Sequence, residues 1–489
     1  MQHYQELAEY FTEIEALESA MGLMHWDRAT YMPEKSGSYR GVRMSLLSKL
    51  HHEMCTHPKI ADLISKINLN SLDEWQQANV HEIEHEYHQS TMFDAHLIEK
   101  LSNTSNECEL IWRKAKQEDN FDAVIPKLDE LIILTKEQAQ IKADKSSINN
   151  YEALVDFYDR GQKLDNINKL FDQVLAFLPD FIEQVIDKQN SLNIKQQHIE
   201  LAIDKQHQIC MQIAKDLGFD FDYGRLDKTF HPFCGGSYGD IRITNTYDEH
   251  NALNAIMATV HETGHALYEQ NLPKNYYNQR VGKALGMSMH ESQSLTYEMQ
   301  LGSSKAFVNY LSQLLKDIGG IDISFQELWH NINFVKRSYI RILADEVTYP
   351  LHVILRFKLE QQIFAGNLKT KDIPILWNEL MQKYLQITPP SNALGCLQDV
   401  HWYSGAFGYF PSYLSGAIIA AQLFTKAKQT LDKDRLNKFD FSGVKNWYKT
   451  NIHNFGRKMP MNELILQASN KELSIEDYKN YLQNKYLYR

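Results

Sequence analysis

The sequence predicts a mainly α protein with one small β element, and three observations carry that reading. Only 12 prolines interrupt 489 residues, and between them Leu, Glu, Lys, Gln and Ala recur with the three- and four-residue apolar spacing of amphipathic helices. The exception is 230–247, FHPFCGGSYGDIRITNTY, where Gly235, Gly236 and Gly239 precede an alternation of Ile241 and Ile243 with Arg242 and Thr244. Finally, 43% hydrophobic and 23% charged residues make an ordinary globular composition, sufficient for a large buried core.

From the N-terminus, helices are expected over 3–25, 38–54, 72–118, 126–144, 151–160, 165–190 and 197–217, several of them broken by turns. The alternation in 230–247 reads as a short strand or hairpin, which sets Arg242 and Thr244 on the face opposite the isoleucines. Helices resume over 250–270, 285–317, 325–366, 371–386, 412–430 and 441–452. Between 395 and 416 glycines and aromatics concentrate, so a loop competes with helix there. No repeat of fixed period appears, which argues against a solenoid. A single unit over 1–489 is expected, with a helical part of about 1–225 followed by a part of about 226–489 that holds the chemistry described next.

A formal net charge of −11 disfavours a nucleic-acid partner, because a polyanion is repelled on average. Five cysteines lie far apart with no CxxC pair, as expected of reduced cytosolic thiols. The N-terminus MQHYQELAEYFTEIEALESAM mixes acids with apolar residues and lacks a signal peptide's basic start and apolar core. Apolar runs are far short of the roughly 20 residues that span a bilayer. A soluble, cytoplasmic protein without a membrane partner is the expectation.

The pattern HExxH places two imidazoles on one helical face, where both reach one zinc ion with the intervening Glu beside the open position. It occurs twice. The first copy, His81-Glu82-Ile83-Glu84-His85, lies in NVHEIEHEYHQS, so dense in charge that a solvated surface is expected. The second, His261-Glu262-Thr263-Gly264-His265, lies in NALNAIMATVHETGHALYEQ, where Leu253, Ile256, Met257, Val260 and Leu267 require a largely buried helix. Buried histidines and a buried Glu need partners, and a metal supplies them. A catalytic zinc needs a third protein ligand. Glu291 offers it, 291 − 265 = 26 residues beyond the second histidine on an apolar segment able to return alongside the first. Glu298 is either a rival ligand or an acceptor for a ligand's other nitrogen, and His290 points elsewhere on the helix as a supporting residue.

Taken together, HWDRATYMP (25–33), HPF (231–233), DIRIT (240–244), HETGH (261–265), HESQ (290–293), IRILAD (340–345) and GCLQDVHW (395–402) resemble, in order, the carboxypeptidase Taq family of zinc metallocarboxypeptidases. The resemblance runs almost end to end. It implies a nearly all-helical, saddle-like subunit with a deep central groove, usually paired as a homodimer. It further implies that His261, His265 and Glu291 are the metal ligands of one zinc ion per subunit, with cobalt a possible substitute, and that Glu262 is the general base and acid. DIRIT and IRILAD resemble segments that receive the substrate's C-terminus, which points to Arg242 and Arg341. A solvent-facing strand residue competes for Arg242, a local pair with Asp345 for Arg341, and Arg356 is a weaker third candidate. Cys234 departs from the pattern, since a small hydroxyl residue is expected after HPF.

His401 within GCLQDVHW, and Tyr409 and Tyr413 just after it, have the chemistry to donate to a developing oxyanion, although such aromatics also serve as core. The expected reaction is release of single amino acids from peptides with a free C-terminus. Zinc lowers the pKa of its water toward ~7, Glu262 takes the proton and passes it to the departing amine, and an arginine holds the terminal carboxylate. The alternative is a zinc oligopeptidase or dipeptidyl carboxypeptidase using the same HExxH and distant Glu.

Overall fold

Helices form where the apolar spacing runs unbroken, and they stop where a cap or a proline intervenes. In the computed structural model, which describes residues 1–488, the expected 72–118 helix is two, Glu74–Ser90 and Ala95–Gln117. Asp94 starts the second by accepting from the Leu97 N–H at 2.8 Å. The expected 325–366 helix is likewise divided. A Ser324/Glu327 capping box opens Phe325–Ile332, irregular chain follows, and Pro350 lies in the first turn of Tyr349–Phe364, where its missing N–H costs nothing. Over 285–317, Met287–Leu295 runs into a π-helical turn, Thr296–Gly302, before Lys305–Leu314. Lys59–Lys66, Met461–Ser469 and Glu476–Tyr486 were not foreseen. At eight to eleven residues each spans only two or three turns, too few for a period to stand out.

The β element proves to be a three-stranded mixed sheet of order β1-β3-β2. β2 (Cys234–Ser237) and β3 (Asp240–Asn245) form the antiparallel hairpin read from the alternation. Gly236, at φ +107°, makes its close pairing possible, since a Cβ there would lie 2.1 Å from the Asp240 carbonyl oxygen. β1 (Gly224–Lys228) adds in parallel on the other side of β3. Its neighbour lies a dozen residues away in sequence, so no local pattern announced the pairing.

Helix Phe410–Ala427 is the central pillar, buried almost all round. Leu414, Ala417 and Ile418 face a core with Phe171, Leu178, Leu351 and Trp377, whereas Ile419, Leu423 and Phe424 face another with Ile213, Ile243, Ile256 and Val260. Each buried Leu, Ile, Val or Phe side chain stabilises the fold by about 1.5–3 kcal/mol relative to exposure. A smaller cluster, with Leu7, Phe11, Ile14, Ile60 and Ile83, joins the N-terminal helices. No helix among the described residues is long and apolar enough to cross a membrane.

Candidate active site

Helix Ala252–Gln270 buries Ala255, Ile256, Val260, Ala266 and Leu267 in the second core. Asn245, at the end of β3, fastens it to the sheet by donating to the Ala255 carbonyl and the Thr259 hydroxyl, each at 2.7 Å. His261 and His265 share a face of this helix, with ring centroids 4.9 Å apart. Helix Met287–Leu295 approaches closely because two glycines leave room for it. A Cβ on Gly264 would sit 2.6 Å from the Gln293 carbonyl oxygen, and one on Gly416 would sit 2.9 Å from Cβ of Glu291. The buried Asp159 clamps this helix at its start, accepting from the Ser288 N–H at 2.7 Å and from the Ser288 and Ser412 hydroxyls at 2.5 Å. Glu291 Oε2 consequently stands 3.7 Å from His265 Nε2. One ligand atom from each of His261, His265 and Glu291 lies within 4.8 Å of the others, the only such group among the described residues.

The surroundings suit a divalent cation. His261 Nδ1 is 2.6 Å from Glu298 Oε2. His265 Nδ1 is 2.7 Å from His290 Nδ1, and His290 Nε2 in turn meets Glu269 Oε1 at 2.8 Å. With Nδ1 engaged, each ring is left its Nε2 for a ligand bond. Glu298 is therefore an acceptor for His261, and His290 supports His265. Burial raises Glu262 to about 7, with Glu291 and Glu298 adding to it, and burial raises Glu291 as well. Burial lowers His265. It acts on His261 in the same sense, yet the bond from Glu298 and the charges of Glu291 and Glu262 outweigh it and lift that ring to about 10. Four carboxylates thus surround three imidazoles, an acidic surplus that a cation relieves, and two nitrogens with one carboxylate oxygen are a zinc-type donor set.

A cationic wall faces Glu291. Arg341 is buried, and its charge acts on Glu291. Its local pairing with Asp345, one of the two readings of this residue, is corrected by the structure. Asp345 instead accepts from the Thr348 hydroxyl and from the Lys336, Val347 and Thr348 N–H groups, while Arg341 Nη2 pairs with Asp399 at 2.9 Å. Arg341 Nη1 lies 3.4 Å from the Tyr349 hydroxyl. Arg356 is wholly buried and grips the other Asp399 oxygen at 2.6 Å, which makes it a support for Asp399 and not a residue in the open. Tyr413 lies beneath the Arg341 guanidinium, 4.8 Å from its ring centroid, and 3.2 Å from His401 Nε2 through its hydroxyl. Tyr409 packs on Tyr413 at 5.1 Å. Burial and the nearby Arg341 lower His401 to about 4, so it is neutral, while burial raises Tyr413 to about 12 and Tyr409 higher still.

Arg242 is not brought to this cluster. Its guanidinium is engaged by Asp240 at 2.6 Å and lies over Trp26 at 5.6 Å. Cys234, on the edge strand, is held as a thiol by burial and by the charges of Glu262 and Glu269. The first HExxH copy needs correction: its helix is not a fully solvated face. Glu82 pairs with Arg160 at 2.7 Å, and burial lowers His85 to about 4. Sequence reasoning missed Glu269 and Asp159. Glu269 carries the His261, His265 spacing one further step of four, a visible signal, whereas Asp159 belongs to no motif.

The model of the carboxypeptidase Taq (M32) metallopeptidase family matches residues 6–486. Carboxypeptidase 1 of Bacillus subtilis is 32% identical over 489 residues, covering 98% of this chain and 97% of that protein. Thermostable carboxypeptidase 1 of Thermus thermophilus is 32% identical over 499 residues, covering 99% and 98%. Among solved structures, Trypanosoma cruzi metallocarboxypeptidase 1 superimposes with a TM-score of 0.97 at 34% identity, covering 100% of both chains. Pyrococcus furiosus carboxypeptidase gives 0.95 at 29%, covering 100% of this chain and 99% of that one. With its full-length match to the family model, its relatives, and a His/Glu group that could hold a metal ion, the chain belongs to the carboxypeptidase Taq (M32) family of metallopeptidases.

Proposed function

We propose that this metallocarboxypeptidase uses one zinc ion, held by His261, His265 and Glu291, to release single amino acids from peptides with a free C-terminus, with broad specificity. The observation that carries the reading is the convergence of those three donors beside the buried Glu262. A zinc ion there would supply a Lewis acid for the scissile carbonyl and a water of lowered pKa.

The protein's own groups account for the remaining steps. Glu262, with its carboxyl near 7, accepts a proton from the attacking water and returns it to the amine nitrogen as the C–N bond breaks. Tyr409, Tyr413 and the neutral His401 are the donors toward the oxyanion that develops on the carbonyl oxygen, each such bond worth about 3 kcal/mol in a water-poor site. Arg341 is the anchor for the terminal carboxylate. With Nε and Nη2 turned to Asp399 and Nη1 3.4 Å from the Tyr349 hydroxyl, its guanidinium is held in one orientation, and this fixed charge confines cleavage to the last residue. Arg242, closed off by Asp240, is the less favoured anchor. We read the chain as one functional unit that works as a cytoplasmic homodimer, in keeping with five cysteines that are all free.

Incubation with unmodified and C-terminally amidated peptides, before and after chelation and zinc re-addition, tests this reading by mass spectrometry. Single-residue release that stops on chelation and slows sharply on amidation is expected. Dipeptide or internal products would favour the oligopeptidase alternative.

A further inference from the structure

Glu360 is a wholly buried carboxylate outside the metal-binding group and the cationic wall, on helix Tyr349–Phe364. Three donors converge on it. The Trp402 indole N–H reaches Oε1 at 2.7 Å, while the Gly408 N–H at 2.9 Å and the Tyr151 hydroxyl at 2.7 Å reach Oε2. Burial pushes the carboxyl up to about 7, and these three bonds oppose that shift. A position met by donors alone calls for a group that accepts at both oxygens. An amide of the same shape would turn its NH2 toward either Trp402 or Gly408 and leave that N–H without an acceptor.

Trp402 and Gly408 bracket a loop that joins two of the proposed oxyanion donors, since Trp402 follows His401 and Gly408 precedes Tyr409. One side chain thus gathers both ends of the loop. The Ala406 N–H closes it further by donating to the His401 carbonyl at 2.7 Å. At Gly408 the backbone has φ +84°, and a Cβ would lie 2.6 Å from the Leu154 carbonyl carbon, so the turn presses directly on helix Asn150–Val155. The His401 and Tyr409 rings, at opposite ends of the loop, consequently stand 5.5 Å apart. Arg356, one turn before Glu360 on the same face, grips Asp399 at 2.6 Å. A single helix face therefore fixes the chain at 399, 402 and 408.

We propose that Glu360 is a positioning residue for the reaction: by accepting from Trp402 and Gly408 together, it holds His401 and Tyr409 where they serve the oxyanion. Its catalytic meaning rests on the reading of those two side chains as oxyanion donors; the placement itself does not. A carboxylate that only completed the core would weaken the fold when replaced, without singling out turnover.

Steady-state kinetics of zinc-loaded Glu360→Gln and Trp402→Phe test it, beside chelator competition for zinc and hydrogen exchange of the 400–409 segment. Leu178→Ala, which weakens the same core from another helix, is the control. Turnover should fall at least tenfold in Glu360→Gln and at least threefold in Trp402→Phe, with KM and zinc affinity within twofold of wild type, as for a contact made only in the transition state. Exchange over 400–409 should quicken in both. Leu178→Ala should lose thermal stability and keep kcat. Trp402→Phe retains an aromatic ring and decides the matter if Glu360→Gln does not fold. Wild-type kcat in either variant, an equal fall in Leu178→Ala, or KM and zinc affinity moving as far as kcat overturns the proposal and leaves Glu360 a part of the core. His401→Gln and Tyr409→Phe are measured alongside. Wild-type turnover in both rejects the oxyanion reading alone, whereas unchanged exchange over 400–409 in the Glu360 and Trp402 variants rejects the placement whichever way those two behave.

Discussion

Glu262 shows how a single side chain acquires a role from its surroundings. Removed from water and placed beside two other carboxylates, its carboxyl sits near 7, where a group both takes and returns a proton at neutral pH. Glu262→Gln keeps the shape but not the proton, and it replaces none of the three proposed metal donors. Turnover should fall by about 10²–10⁴-fold with the metal content unchanged by elemental analysis, and near-normal turnover would remove Glu262 from the reaction. Asp399 is the counterpart on the cationic wall. Although burial opposes its charge, Arg356 and Arg341 hold its carboxyl well below the usual range. A depressed acid stabilises the fold above its unfolded value and loses that contribution as pH falls through the folded one. Wild-type thermal stability should therefore decline as pH falls below about 4, and Asp399→Asn should lack that component. The same substitution leaves Arg356 buried without its charge partner, which should cost about 3–5 kcal/mol in urea denaturation; a loss under 1 kcal/mol would contradict the pairing. At this scale the proposed metal donors and base were legible as candidates, because HExxH is a local spacing. Arg341 was legible only as a candidate, since its partner lies 58 residues away.

Elements meet at the site because small residues let them. Gly264 and Gly416 allow helix Met287–Leu295 to lie against two other helices, and Asp159 fixes where it begins. Gly416→Val adds bulk at 2.9 Å from the Glu291 side chain. Overpacking of this kind costs about 1–3 kcal/mol, and the displacement should weaken zinc binding at least tenfold in competition with a chelator. Unchanged affinity would show that Glu291 tolerates movement of its helix. The sequence announced these helices through long periodic runs, and the hairpin through its glycines and alternation. It concealed the interruptions at Asp94, where a cap starts a second helix, and between Ile332 and Tyr349, where irregular chain divides the apolar spacing, and it concealed β1, whose pairing is not local. Asp159 was invisible for the same reason: its partners, Ser288 and Ser412, come from distant helices.

Across the whole molecule, two cores flank helix Phe410–Ala427, and the proposed metal-binding group lies where helices from both meet. The N-terminal helices are tied to that arrangement electrostatically. The buried Arg280, just ahead of helix Met287–Leu295, reaches Glu18 at 2.7 Å and Glu86 at 2.6 Å. An ion joining two helices of such a structure binds the folded state alone, so loading it to 100-fold above its Kd should add about 2.7 kcal/mol of stability. Thermal denaturation with and without chelator should show a raised midpoint for the loaded protein; coincident curves would mean that the group does not hold metal in solution. The most direct test is stepwise zinc addition to metal-stripped protein while single residues are counted as they leave an unmodified peptide. Activity should rise linearly and level off at one equivalent per chain, and Glu291→Ala should not respond. Full activity in the stripped protein, or recovery of the Glu291 variant at the same equivalence, would contradict the account.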